Sequence, residues 1–284
     1  MANFNPYQSP LYTPPIPDNN CLVTMLYDLA SKEPGTVRCT IDQYMKDGEA
    51  LFNLNQFIIF FVESEEIKAK IRHRRDRFTD LFHRVNLLEK THVIVKPFNQ
   101  LKYYDKLAEI DECDKTHPIS GFNPTGDRHK GKNSNHYRVV GWNKCECLRQ
   151  AIEINPFKSK RWAWIDFGIG TRVHIPSNIE TVLGSIGDKV KFGLFNNLAN
   201  YGVNREDFYR SEKRMLVGGF FAGRTDFMLK FIELFERELG KLLSKPGPRP
   251  LEDAVFARVI YENYSEFNVF RTFCSEQVFE RWLQ

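Results

Sequence analysis

In YRVVGWNKCECLRQAIEINPFKSKRWAWIDFG, residues 137–168, a helical period gives way to an apolar run. Val140, Gly141, Leu148, Ala151 and Ile152 fall on one face of a 100° helical wheel, and Asn143, Glu146, Arg149, Gln150 and Glu153 on the other. This spacing predicts one helix over 137–155, stopped by Pro156. The apolar run after it predicts a strand over 162–166 that delivers a single carboxylate, Asp166, at its carboxyl end.

Upstream, CLVTMLYDL (21–29) reads as an apolar strand ending at Asp28, followed by a Lys-Glu-Pro-Gly turn and a helix-like stretch through Leu54. Residues 56–62, with the run FIIFFV, read as a second buried strand, and 91–95 (THVIV) as a third, closed by Pro97. Between them Ser64 opens a polar helix with Glu65 and Glu66 in its first turn. Residues 102–113 look helical, and 116–135 form a polar loop with Gly and Pro. Strand and helix thus alternate from 21 to 166, the pattern of an α/β protein with a mostly parallel central sheet and helices on both faces. Downstream come strands near 189–195 and 215–221. An amphipathic helix over 225–243 places Met228, Phe231, Ile232, Phe235, Leu239, Leu242 and Leu243 on one side. The linker SKPGPRP (244–250) leads to a last helix from Glu252. Residues 1–19, with five prolines and no apolar period, read as an extended arm ahead of one domain over 20–284.

The composition agrees with one well-cored domain: 284 residues are 42% hydrophobic and 14% aromatic, which excludes disorder for most of the chain. No apolar run approaches the ~20 residues of a membrane-spanning helix, and no secretory signal is visible. The net charge of +4 is too small to argue for nucleic acid. The basic run KAKIRHRRDR (68–77) spreads around most of a helix with few aromatics, so a solvated face is expected and a nucleic-acid partner is not. Cysteines 21, 39, 113, 145, 147 and 274 show neither zinc nor redox spacing and read as reduced structural thiols of a cytosolic protein. The histidines have no metal-ligand spacing, and no phosphate-loop, Rossmann or nucleophile-elbow fingerprint occurs.

Four places could carry chemistry, each with a structural alternative. Asp166 stands where open α/β sheets bind ligands, and Gly168 lets a ligand approach the backbone; the alternative is an Asp that caps a turn. Lys144 falls inside the apolar sector of its helix, where it meets an anion such as a phosphate or snorkels to the sheet edge. Glu252 and Asp253 open a helix, as dipole complements or as a general base. Gly218 and Gly219 end a strand, as a bulge or as a place where a sugar or nucleotide nears the backbone.

The ordered set VTMLYDL, a lysine-bearing helix, WIDFG, GGFFAG and LEDAVF resembles the glycosyltransferase-A fold. More narrowly, it resembles the HtrL/YibB-type glycosyltransferase-like proteins, over about residues 21–265. The resemblance implies one glycosyltransferase-A-like domain, with a nucleotide-binding half (20–168) and an acceptor-binding half (169–284). It implies a nucleoside-diphosphate sugar donor, UDP-linked, whose sugar is moved to a glycan hydroxyl. In those terms Thr24 and Asp28 line the nucleotide pocket, and Asp166 matches the first acidic position of the family's D-x-D metal motif. Its divalent cation, Mn²⁺ or Mg²⁺, neutralises the leaving diphosphate. Lys144 reaches the same diphosphate, Gly218 and Gly219 pass near the donor sugar or acceptor, and Asp253 or Glu252 deprotonates the acceptor. The chain departs from the pattern in having Gly168 at the second acidic position and no histidine after His174. Much of the charge work then falls to Lys144, Arg128 and Arg138. The departure also keeps open a catalytically inactive nucleotide- or sugar-binding module on the same fold.

Overall fold

The central strands are apolar on both faces, and this dictates a sheet covered on both sides. In β1 (Asn20–Leu26), Cys21, Val23 and Met25 join one core layer while Leu22 and Leu26 join the other. In β2 (Phe57–Val62), Ile59 and Phe61 point one way and Ile58, Phe60 and Val62 the other. A computed structural model describes residues 19–33, 40–79, 86–119, 134–171, 173–176, 179–198, 208–209, 215–272 and 277–283. The arm proposed for 1–19 therefore falls, but for Asn19, outside the described residues, as does Arg128.

The remaining strands are β3 (Thr91–Val95), β4 (Arg161–Ile165), β5 (Val190–Leu194), β6 (Leu216–Arg224) and β7 (Phe267–Arg271), in the order β3-β2-β1-β4-β6-β5-β7. β1 pairs in parallel with β2 and β4, β2 with β3, and β5 with β7; only β6, among the described strands, runs antiparallel to its neighbours β4 and β5. The expected α/β architecture with a mostly parallel sheet is what forms. One face is covered by α6 (Asn135–Trp142), α7 (Lys144–Ile154), α9 (Thr225–Leu243) and α10 (Glu252–Glu262). The other is covered by the short α2 (Ile41–Asp47) and α3 (Glu49–Phe52), α4 (Glu65–Arg77), α8 (Ile179–Gly184) and α11 (Val278–Trp282). Two further helices, α1 (Leu29–Lys32) and α5 (Leu107–Thr116), flank the first layer. No described helix is long and apolar enough to cross a membrane.

The single helix expected over 137–155 is two helices that meet at Asn143. Asn143 is fully buried; its Nδ2 donates to Val139 O (2.7 Å) and its Oδ1 accepts from Lys102 N (2.9 Å). A side-chain amide that takes backbone partners competes with helix continuation, so the chain breaks there. The break makes Lys144 the first residue of α7. At the far end, Asn155 adopts the left-handed conformation (φ 37°) that ends the helix ahead of Pro156. The sequence reading did not include β7 or α11.

The basic run forms α4. Lys68 pairs with Glu65 (3.0 Å) and Lys70 with both Asp42 (3.1 Å) and Glu66 (3.2 Å). Arg75 is fully buried instead: it donates to the carbonyls of Phe52 (3.0 Å), Leu54 (2.7 Å) and Gln56 (3.0 Å), and to Thr91 Oγ1 (2.8 Å). One arginine thus ties α3, the entry to β2 and the start of β3 to α4. Cys21, Cys113, Cys145 and Cys147 are free and buried.

Candidate functional site

Antiparallel β6 starts where the parallel strands end, so its first residues lie at the carboxyl edge of β1 and β4. Ile165 is in register with Phe220, and the Asp166 N–H donates to Gly219 O (2.8 Å). β1 lies between β2 and β4, so the strand order reverses beside it, and open α/β sheets bind ligands outside such a switch point. A cavity of about 380 Å³ opens there. Lys144, Asp166, Gly168, Gly218, Gly219, Glu252 and Asp253, taken from four separated stretches of sequence, all line it.

The glycines explain how the acids approach so closely. A Cβ on Gly218 would fall 1.7 Å from Asp253 Oδ1, and one on Gly219 would fall 3.2 Å from Asp166 Oδ2. Gly141, which counted in the sequence as part of an apolar face, would place a Cβ 2.2 Å from Glu252 Oε2. Gly168 differs, since only Tyr44 Cε1 lies within reach, at 4.0 Å, and the space beside it is open. The expected close approach at Gly218 and Gly219 is therefore made, within this chain, by its own carboxylates.

Lys144 does not snorkel. Its ammonium lies 2.8 Å from Asp166 Oδ1, 2.8 Å from Glu252 Oε1 and 3.2 Å from Gly218 O, with the face of Trp164 at 5.6 Å. Burial on its own would lower its pKa, but the charges of Asp166 and then Glu252 prevail and hold it well above the ordinary lysine value. Asp166 Oδ1 also accepts from Trp164 Nε1 (2.7 Å), and the Asp166 side chain stays 37% exposed. Glu252 is buried with Lys144, whereas Asp253, one residue on, is half-buried and borders the cavity. Both acids stand in the first turn of α10, where the helix dipole also favours them. Burial and the neighbouring Glu252 push the Tyr137 phenol well up.

Thr24, Asp28 and Arg138 are not brought to this cavity. Thr24 is fully buried in the middle of β1. Asp28 caps α1, accepting from Ser31 N (3.2 Å). Arg138 is buried and donates to Asp114 Oδ1 (2.8 Å), which ties α6 to α5. Residues that the sequence reading passed over include Tyr27, Tyr44, Asp47 and Tyr137, all on the cavity wall. Trp164 was within reach of the sequence, because residues two apart on a strand share a face and Asp166 had already been singled out. Tyr44 and Asp47 carry no local signal, since their helix reaches the cavity only by packing on the turn after β4. There the Phe167 ring occupies the space a Cβ on Gly48 would need, at 2.3 Å.

The donor set does not fit the resident divalent cation that the resemblance implies. Asp166 Oδ1 and Glu252 Oε1 are already committed to an ammonium, and Gly168 contributes no side chain. Among the described residues no group of three or more His, Cys, Asp or Glu is gathered to hold a metal. A smaller hollow of about 240 Å³ at the amino edge, by Val190, Phe231 and Phe267, has no comparable acid cluster.

Fold and site define an α/β protein with an acid- and aromatic-lined cavity at the carboxyl edge of its sheet. Residues 18–272 match the family described as "Bacterial protein of unknown function (HtrL_YibB)", and the chain belongs to that family. No match was found among curated proteins.

Proposed function

We propose that the protein is a glycosyltransferase that moves a sugar from a UDP-linked donor to a glycan hydroxyl. The observation that carries this reading is the convergence of Lys144, Asp166, Gly218–Gly219 and Glu252–Asp253 on one cavity at the switch point of the sheet. The chemistry of the wall supports it. Carboxylates accept hydrogen bonds from sugar hydroxyls, and the part-exposed Tyr44 and Tyr137 supply flat apolar surfaces for sugar or base rings. In this reading Asp253 takes the proton of the acceptor hydroxyl. The acceptor oxygen bonds to the anomeric carbon as the bond to the diphosphate oxygen breaks, its electron pair leaving with the nucleoside diphosphate. Glu252, buried in its ion pair with Lys144, is not the base. Asp166 directs Oδ2 toward ligand hydroxyls while Lys144 and Trp164 hold Oδ1.

Four carboxylates, Asp47, Asp166, Glu252 and Asp253, face one lysine among the described lining residues. An anionic donor would therefore enter as its complex with Mn²⁺ or Mg²⁺, the cation belonging to the substrate. A cytoplasmic setting is part of the proposal and accords with the free buried thiols.

The test is release of UDP from a panel of UDP-sugars with oligosaccharide acceptors, with and without Mn²⁺. Asp253→Asn should lower turnover by ~10²-fold or more while the melting curve is unchanged. Full activity in that variant would overturn the role of Asp253. Donor binding without turnover would move the assignment to a sugar-nucleotide-binding module, and no donor binding at all would end both readings.

A further inference from the structure

Lys144 sits in its site as a bound cation would. An ammonium has three N–H donors. Here three oxygens converge on it: Asp166 Oδ1 and Glu252 Oε1 at 2.8 Å each, and Gly218 O at 3.2 Å. The side chain is 6% exposed, so water does not compete for those donors. The three acceptors come from the end of β4, the start of α10 and the third residue of β6, and Gly141 clears the space in which Glu252 reaches inward. Nothing local favours a lysine here, because the first residue of a helix is an unfavourable place for a cation. The cage of oxygens supplies the compensation.

We infer that Lys144 is a positioning residue, a resident cation that fills a three-oxygen cage and fixes Asp166 with its second oxygen toward the cavity, rather than a residue that binds donor phosphate. With one N–H donated to Gly218 O and its charge paired at 2.8 Å with both carboxylates, it meets a ligand only by giving up Asp166, Glu252 or Gly218. The arrangement also assigns the neighbouring acids separate tasks. Glu252 gives Oε1 to Lys144 and keeps Oε2 buried beside Gly141 with no hydrogen-bond partner among the described residues. Asp166 gives Oδ1 to Lys144 and Trp164 and, on the exposed side, keeps Oδ2 for a ligand. The inference stands on the cage and not on the glycosyltransferase reading, and its tests need no turnover.

Two carboxylate oxygens and a carbonyl are hard-cation ligands, so the cage emptied of its ammonium should take a divalent ion, with water completing the shell. Lys144→Ala, titrated with Mn²⁺ and followed by electron paramagnetic resonance, should gain one site per chain at roughly millimolar affinity or better. Lys144→Ala/Glu252→Gln should lose it. A folded Lys144→Ala that binds Mn²⁺ no better than the native protein overturns the inference. Should the variant not fold, the native protein decides. In protein labelled with ¹⁵N-lysine, the Lys144 ammonium, held in the cage at 6% exposure, should give a slowly exchanging resonance without any ligand. A Lys144 ammonium that exchanges with solvent as fast as those of exposed lysines overturns it.

Discussion

Of the glycines that border the cavity, Gly218, Gly219 and Gly168 have very different surroundings, and alanine at each should have a different cost. At Gly218 the new Cβ would lie 1.7 Å from Asp253 Oδ1 and 2.8 Å from its Cγ. To reach even 3.0 Å, below which Cβ contacts essentially do not occur, that oxygen must retreat by about 1.3 Å. Moving it strains the first turn of α10, next to the buried Glu252–Lys144 pair. Overpacking of this kind costs about 2 kcal/mol, which lowers Tm by roughly 3–4 °C in a chain of this size. At Gly219 the nearest atom, Asp166 Oδ2, is 3.2 Å away, and a shift of a few tenths of an ångström suffices. About 1 kcal/mol is expected there. At Gly168 the only near atom is Tyr44 Cε1 at 4.0 Å, so alanine fits and should stabilise by up to ~0.5 kcal/mol through the unfolded chain. Urea melts on the three variants measure the series. Displacing Asp253 by an ångström should also cost Gly218→Ala roughly 100-fold in any turnover. A Gly218→Ala protein that melts with the native one, or a Gly168→Ala protein as unstable as Gly218→Ala, would refute the packing argument.

Two further outcomes follow from groups remote from the cavity. Arg75→Met should cost about 3 kcal/mol or more in urea, because several carbonyls lose their donor inside the protein, whereas Arg72→Met on the exposed side of α4 should stay within about 0.5 kcal/mol. Equal effects in the two variants would refute the anchoring role. Burial raises the pKa of the Cys21, Cys145 and Cys147 thiols above the ordinary value of 9.0. In the unfolded chain they ionise near that value while the folded chain keeps them neutral. The stability tied to their neutral form is thus complete below pH ~9 and is lost as the pH rises toward the folded-state values. At pH ~10 the loss is about 1.4 kcal/mol per thiol, or about 4 kcal/mol for three. Urea midpoints measured from pH 8 to 10.5 check this, and a flat profile would contradict it.

Most of the architecture was legible because its signals are local. The both-faces-apolar runs of β1 and β2 announce a covered parallel sheet, and the period of 225–243 announces α9. At Asn143 and Arg75 prediction failed because a side chain had found a distant partner. Asn143 breaks the helix through contacts that include Lys102, and Arg75 leaves the solvated face of α4 for carbonyls up to 24 residues away. The site was legible as a set of candidates. Asp166, Lys144, Gly218–Gly219 and Glu252–Asp253 each stood out by residue type and place, and all of them meet at the cavity. Thr24 and Asp28, chosen by resemblance, and Arg138, chosen for its place beside the polar loop, lie elsewhere in the structure.

The α/β order of the main elements, the strands buried on both faces and the identity of the acids and the lysine can be read along the chain. These depend on periodicity and on residue type, which are properties of neighbouring positions. What the acids and the lysine do to one another depends on how distant segments pack. The antiparallel course of β6 brings Gly218 and Gly219 to the carboxyl edge, where missing Cβ atoms admit Asp253 and Asp166. The start of α10 then brings Glu252 to within 2.8 Å of an ammonium 108 residues earlier in the chain, because a buried cation must find its counter-charges wherever the fold provides them.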